Sequence, residues 1–396
     1  MDQASARCGA CRRAGRSERA ARAAGDCGMT AVARAAAATP LAPTAGWIAC
    51  GDGEDTLLTL PARIHGIAAH AVLDSGATRA VLDAGFAARH GLSGVREHRV
   101  TALTGEIPAS LTQPLDIQVG GMGLPETPAL ILDLRPIARA TRAPIDLVLG
   151  HEFFLRSAID IDPDRGALRF LDNGSENIKH WLPVVQMSDG HFCTTIALKD
   201  GLQTDAIIDL GSLAPLYISP DLAIEYDLFK GIRRGSNAST GVEGVAISQL
   251  GRLPKLQLAD AVFHDVPFAV PPVWCFAAPV VLGLPLLMRF RCYLDFGRRR
   301  MQMIPASGLE RPFGRDRSGL SVIHVGEQLR VVHVARDSPA ARAGLNVGDG
   351  IIAINDETIN LSSANRRNLG KQPPGTRYVL SILGKGDREL VLEEYY

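Results

Sequence analysis

The chain has 396 residues, more than one hydrophobic core normally serves and enough for about three domains. Lys plus Arg equals Asp plus Glu at 42 each, so no net field selects nucleic acid or an anionic membrane, and neither is expected as a partner. No apolar stretch reaches the roughly 18–20 residues that a transmembrane helix needs.

In chain order, residues 1–52 are rich in Ala and Arg with little periodicity and are expected to be disordered. The run Ala35-Ala36-Ala37-Ala38 behind Met29 is too weakly apolar for a signal-peptide core, and Trp47-Ile48 fits a lipoprotein site before Cys50 badly. Four of the seven cysteines lie in this segment, which argues against a disulfide framework, and Cys8-Gly9-Ala10-Cys11 lacks a second ligand pair for zinc. No metal and no cofactor are expected.

From residue 53 the pattern is short strands punctuated by Gly, Pro and Asp. Thr56–Ile64 and Ala68–Leu73 read as a hairpin turning at His65-Gly66, and Gly120-Gly121 marks another. The apolar run Ala71-Val72-Leu73 delivers Asp74-Ser75-Gly76-Ala77-Thr78. A short helix follows over Asp83–His90, stopped by Gly91.

The same landmarks then recur. Asp209-Leu210-Gly211-Ser212 follows Ala206-Ile207-Ile208, with Asp209 lying 135 residues beyond Asp74. A turn at Asp200-Gly201 matches His65-Gly66, Thr240-Gly241 matches Thr104-Gly105, and Val281-Leu282-Gly283 matches Val148-Leu149-Gly150. A helix over Asp221–Tyr226 repeats the first, and Leu294-Asp295-Phe296 repeats Ile159-Asp160-Ile161. Duplication of one β unit is the economical explanation. Asp160 and Asp295, set between strand residues, are expected to be structural. Arg298-Arg299-Arg300 reads as a solvated hairpin tip beside Gly297.

Leu309–Arg317 has linker composition. Beyond it, Ser338-Pro339-Ala340-Ala341-Arg342-Ala343-Gly344-Leu345 carries an N-cap, a proline at the first helical position and a glycine stop. Strands are expected at Leu329–Val334, Ile351–Ile354, Tyr378–Leu383 and Arg388–Leu392, with a turn at Asn355-Asp356. His324 and His333 read as surface strand positions. His151-Glu152 lacks the second histidine of a zinc protease.

These motifs resemble the pepsin-like and retropepsin-like aspartic proteases. The carriers are Asp74-Ser75-Gly76, the flap-like turn Thr104-Gly105 and Val148-Leu149-Gly150, repeated as Asp209-Leu210-Gly211, Thr240-Gly241 and Val281-Leu282-Gly283. The tail resembles a PDZ domain through Ser338-Pro339-Ala340, Ala343-Gly344-Leu345 and Gly348-Asp349, an order of parts shared with bacterial proteins of that kind. The resemblance implies a mainly β fold: two tandem β-barrel lobes over 53–178 and 179–308 related by a pseudo-twofold, a linker over 309–317, and a PDZ domain over 318–396. With both lobes in one chain, a monomer is expected rather than an obligate dimer. The resemblance leans towards a periplasmic or envelope location.

Hydrolysis without a metal or covalent nucleophile requires one group to deprotonate water and another to protonate the carbonyl oxygen. Two carboxyl groups sharing one proton do both, and the aspartic-protease pair is a standard instance of that chemistry. The resemblance assigns catalysis to Asp74 and Asp209, loop support to Ser75, Gly76, Thr78, Gly211 and Ser212, and flap positions to Thr104, Gly105, Thr240 and Gly241. It places a peptide or protein substrate in the cleft and a second peptide on the PDZ domain, where N–H groups of Gly319, Leu320, Ser321 and Val322 would receive a chain-end carboxylate.

Leu210 departs from the family pattern, since it cannot return the cross-loop bond that Ser75 can make. A looser or asymmetric pair is therefore expected. Two alternatives stand beside the endopeptidase. In one, Asp74 pairs with Asp74 of a second chain; in the other, an inactive protein of the same fold binds peptide in its cleft.

Overall fold

The computed structural model describes residues 46–50, 56–102, 105–141, 143–171, 180–198, 201–242, 244–360 and 369–396. The architecture is mainly β, in curled sheets. Alternation dictates the first sheet: in Thr59–Ile64, Leu60, Ala62 and Ile64 are buried while Pro61 and Arg63 are exposed. The chain turns through His65 and Gly66, at φ 49° and 80°, into Ile67–Leu73. Both turn residues are left-handed, the condition for a two-residue hairpin that follows the strand twist. The end of Ile67–Leu73 is buried on both faces and runs parallel to Leu147–Leu149. Leu147–Leu149 in turn pairs antiparallel with Val81–Asp83. Helix Ala84–Arg89 follows, its first turn capped by Asp83, whose carboxylate accepts from Phe86 N at 2.9 Å.

The arrangement repeats further along. Gln203–Asp209 is antiparallel to Phe192–Ala197 and parallel to Val280–Gly283, which pairs antiparallel with Leu216–Ile218. Helix Pro220–Glu225 follows, capped by Ser219 Oγ, which accepts from Leu222 N at 3.2 Å. Gly201 has the left-handed φ expected of its turn, and Asp200 lies outside the described residues.

A third sheet joins the halves. Its order is Ile48–Ala49, Ala167–Leu171, Ala158–Asp162, Phe290–Asp295, Arg300–Pro305, Leu182–Pro183. In the middle, Ile159 faces Leu294 and Ile161 faces Cys292. Asp160 is 0% exposed there and accepts from Arg169 Nε at 2.8 Å and from Arg291 at 2.8 and 2.7 Å. Both guanidinium groups lie over the Trp47 ring, at 4.9 and 5.4 Å. Asp295 is matched the same way, bonding Arg298 N–H and Arg300 Nε, with Arg300 4.1 Å over Trp181. A buried carboxylate survives only when paired in this fashion.

Several expectations change here. The ordered chain starts before residue 53: Ile48 pairs with Leu168, and Cys50 is buried. Trp47, sandwiched against arginines, holds that segment down, a contact with no periodic signature. Residues 1–45 and 51–55 lie outside the described residues. The Arg298–Arg300 run lies at an exposed hairpin tip as expected, but it is not merely solvated: two of its arginines pair with Asp295 and Arg299 donates to Gln186 Oε1. Helix Arg135–Thr141 has no counterpart among the sequence expectations. The segment read as a linker packs closely: Phe313 is buried, and Arg315 and Arg317 bond Glu394 at 2.7 and 3.1 Å.

The C-terminal sheet runs Leu320–Val325, Gln328–Val334, Gly350–Ile354, Arg377–Ile382, Gly386–Val391, with Glu357–Thr358 beside Gly350–Ile354. Ser338 caps helix Pro339–Arg342 and Gly344 ends it at φ 74°. His333 is no simple surface residue, since its Nε2 lies 2.8 Å from Ser236 Oγ on the second sheet. Among the described residues no helix is long and apolar enough to cross a membrane.

Replacing Asp160 with Ala leaves two arginines without their carboxylate inside the joining sheet, and a loss of about 3 kcal/mol is expected. Urea unfolding of the variant against the parent measures it; a change under about 0.5 kcal/mol, the range of an ordinary surface substitution, would contradict the structural role given to that cluster.

Candidate active site

The two strands that run parallel to their Leu-Gly partners each deliver an aspartate, Asp74 just after Leu73 and Asp209 as the last residue of its strand. Asp74 N donates to Leu149 O at 3.2 Å, and the chain then turns back on itself. Gly76 N and Ala77 N donate to Asp74 Oδ1 at 2.9 and 3.0 Å, and Gly211 N donates to Asp209 Oδ1 at 2.8 Å. Each loop is pinned from behind in the same way, His151 N to Ala77 O at 3.0 Å and Leu284 N to Ser212 O at 2.8 Å. The residue before each of these, Gly150 or Gly283, must be glycine. A Cβ on Gly150 would sit on the Arg79 carbonyl, and one on Gly283 on that of Ala214. That close approach explains the apolar-apolar-Gly signature in physical terms.

The two acids meet. A Cβ on Gly76 would lie 2.7 Å from Asp209 Cγ, and one on Gly211 would strike Asp74 Cγ. The carboxyl groups are close enough that each shifts the other's titration. Burial pushes the Asp209 carboxyl well above its ordinary range, and the neighbouring Asp74 charge adds to the push. Burial raises Asp74 too, but Asp209 and the N–H groups of Gly76 and Ala77 hold it back. Asp74 accepts from two backbone N–H groups and Asp209 from one, so the charge of the pair is better supported on Asp74. Neither side chain is sealed off; both keep some exposure to solvent. One proton between two carboxyl groups can serve as base and acid in a single step.

The support residues divide. Ser75 is 0% exposed and bridges the halves, donating to Ile208 O at 2.7 Å and accepting from Leu210 N at 3.0 Å. Leu210 turns its side chain into the core at 1% exposure, so the reciprocal bond is absent. The Ser212 hydroxyl donates to Ala214 O within its own loop, and Thr78 is exposed. Hairpins stand at both positions expected to be flaps: Ala102 pairs with Gly105, and Thr240-Gly241 pair with Val245 and Gly244. Leu103 and Thr104 lie outside the described residues.

Two residues that sequence reasoning passed over also touch the first loop. His151 Nε2 lies 3.0 Å from Ser75 O, and His191 Nε2 3.0 Å from Gly76 O. Burial drives the His151 imidazole down to about 4, so it is neutral in the folded chain at ordinary pH. Glu152, beside it, accepts from Ala80 N at 2.9 Å. The dipeptide His151-Glu152 thus clamps the Asp74 loop, a role that only the position after Gly150 could have suggested.

At the C-terminal domain the expected carboxylate nest is already filled. Ser318 N and Gly319 N donate to the two oxygens of Asp316 at 3.0 and 2.8 Å, and Leu320 N to Ser318 Oγ at 3.1 Å. Gly319 takes the left-handed φ of 67° that a nest requires, but an internal carboxylate has claimed it. Leu320, Ser321 and Val322 belong to an edge strand, and Ser321 Oγ accepts from Ala238 N at 3.0 Å. A cavity of about 600 Å³ lies between Leu320-Ser321, the Phe313 segment and Leu213–Tyr217, away from the two acids.

Comparison with known families bears on the first half and on the tail. Residues 60–153 match the family model described as aspartyl protease, and residues 317–392 match the PDZ domain. The chain therefore carries an aspartyl protease domain and a C-terminal PDZ domain. Asp209 lies outside both matched spans. No curated protein matches the chain.

His151 gives a pH test. An unfolded histidine titrates near 6.5, the folded one near 4, so between those values the unfolded chain binds a proton that the native site refuses. Stability then falls as pH falls, by about 3 kcal/mol from this residue between pH 7 and pH 4. His151→Gln should shrink the gap between urea unfolding energies at those two pH values by a similar amount. An unchanged gap would mean the imidazole is not held neutral.

Proposed function

We propose that this chain is an aspartic endopeptidase built from tandem pepsin-like lobes, 53–178 and 179–308, with Asp74 and Asp209 as its catalytic pair. The reading is carried by one observation: each loop's glycine leaves room for the other loop's carboxyl group. Pairing within one chain is favoured over pairing of Asp74 across two chains for the same reason.

In the reaction, ionised Asp74 takes a proton from the water that attacks the peptide carbonyl, while Asp209 gives its proton to the carbonyl oxygen. A tetrahedral diol results. Asp209 then takes back the diol proton, and Asp74 passes its own to the leaving nitrogen as the C–N bond breaks. The pair ends with one proton, as it began. Substrate lies extended beneath the hairpin tips near Gly105 and Gly241, where strand edges can bond its backbone. The PDZ domain binds a second stretch of peptide along the edge strand Leu320–Val325.

Both acids must be present in their different states, so activity follows a bell in pH, its upper limb set by the raised Asp209 carboxyl. Denatured casein offers a substrate without sequence commitment. Asp74→Asn and Asp209→Asn should each lower its cleavage on the order of 1,000-fold. Retention of activity by Asp209→Asn alone, with a rate that rises with protein concentration, would transfer the chemistry to a pair of chains. No turnover by the parent at any pH, together with measurable peptide binding, would leave a binding protein.

A further inference from the structure

Ser75 ties the first half to the second through both functions of its hydroxyl, reaching Ile208 O and Leu210 N. A hydroxyl at position 210 would tie the second half back to the first. Leu210 has none. The register of the two acids then depends on whatever else from the second half grips the Asp74 loop.

His191 does so. It sits in the turn between Val185–Gln186 and Phe192–Ala197, the latter strand lying beside the one that delivers Asp209. Its ring is 8% exposed, and Nε2 is 3.0 Å from Gly76 O. A carbonyl oxygen only accepts, so that nitrogen carries the proton and donates. Gly76 is the residue whose missing side chain makes room for Asp209. The bond therefore lands on the peptide that sets the gap between the acids.

The histidine is itself well held. Its backbone N donates to Asp189 Oδ1 at 3.2 Å, while Nδ1, 3.1 Å from the same oxygen, is not aligned for a hydrogen bond. Asp189 Oδ2 accepts from Ala277 N at 2.7 Å. Phe276 meets the ring edge-on at 5.1 Å, and His151 does so at 6.1 Å. Burial alone would raise the Asp189 carboxyl, but the histidine and the Ala277 N–H outweigh it and bring it down to about 2. Asp189 is thus a fixed negative charge beside the ring, and the aromatic contacts confine the imidazole.

We infer that His191, held in place by its backbone bond to Asp189 and by Phe276, is a positioning residue for the acid pair, supplying from the second half the cross-half hydrogen bond that Leu210 cannot. The inference rests on the proposed reaction, and its logic is geometric. Errors near 1 Å in the placement of reacting groups cost about 100-fold in rate. Binding of an extended peptide, spread over many backbone bonds, is far less sensitive.

His191→Leu removes the donor, whereas His191→Gln retains an N–H of similar reach. With denatured casein, His191→Leu is expected to lose about 10- to 100-fold in kcat with KM within about twofold, and His191→Gln to stay within about threefold of the parent. Equal kcat values for the two variants, whether both high or both low, overturn the inference. If the leucine variant does not fold, His191→Asn, too short to reach Gly76, takes its place in the comparison. Carboxyl-carbon NMR titration of the aspartates reads the same geometry without turnover. The parent should show two well-separated steps from the pair, and the donor-less variant should bring them together. Unchanged separation in the variant refutes the positioning role even if the parent cleaves nothing, an outcome that by itself would refute only the endopeptidase reading.

Discussion

Two carboxyl groups in contact inside a protein repel unless a proton lies between them, and the chain must enforce that contact between residues far apart in sequence. Everything around Asp74 and Asp209 serves that enforcement. Glycines at 76 and 211 remove the side chains that would hold the acids apart, and glycines at 150 and 283 let the supporting strands press up behind. The backbone N–H groups of Gly76, Ala77 and Gly211 fix which oxygen points where. Proximity is then converted into chemistry by burial, which makes one shared proton cheaper than two charges.

Contact at the acids would be lost if the halves could slide. The joining sheet prevents this with a backbone ladder through Ile159–Ile161 and Cys292–Leu294, reinforced by buried ion clusters at Asp160 and Asp295. Each cluster has a tryptophan roof, Trp47 for one and Trp181 for the other. Such clusters contribute modestly to stability compared with apolar packing, but their bond geometry tolerates no slip in register. The C-terminal domain is fastened separately, through Glu394 to Arg315 and Arg317 and through His333 to Ser236.

Much of this was legible in the chain itself. Turns at His65-Gly66 and Gly120-Gly121 announce left-handed backbone, apolar runs before Asp74 and Asp209 announce central strands, and the near-constant offset between landmarks suggests a repeat. Local rules read local features well. Residues whose meaning is a distant partner stayed silent. His191 touches Gly76 across 115 positions, Trp47 depends on arginines more than a hundred residues away, and Asp316 occupies a loop that composition presents as open. Leu210 was recognisable as a departure, but nothing nearby in sequence said what stood in for it.

The reciprocal packing of Gly76 on Asp209 and of Gly211 on Asp74 makes damage in this molecule crosswise. A methyl group added to the first loop injures the second loop's acid, and the reverse holds equally. The two loops, far apart in sequence and otherwise free to vary separately, are shackled together at that point. A lesion there is felt not where it is written but on the opposite side of the cleft.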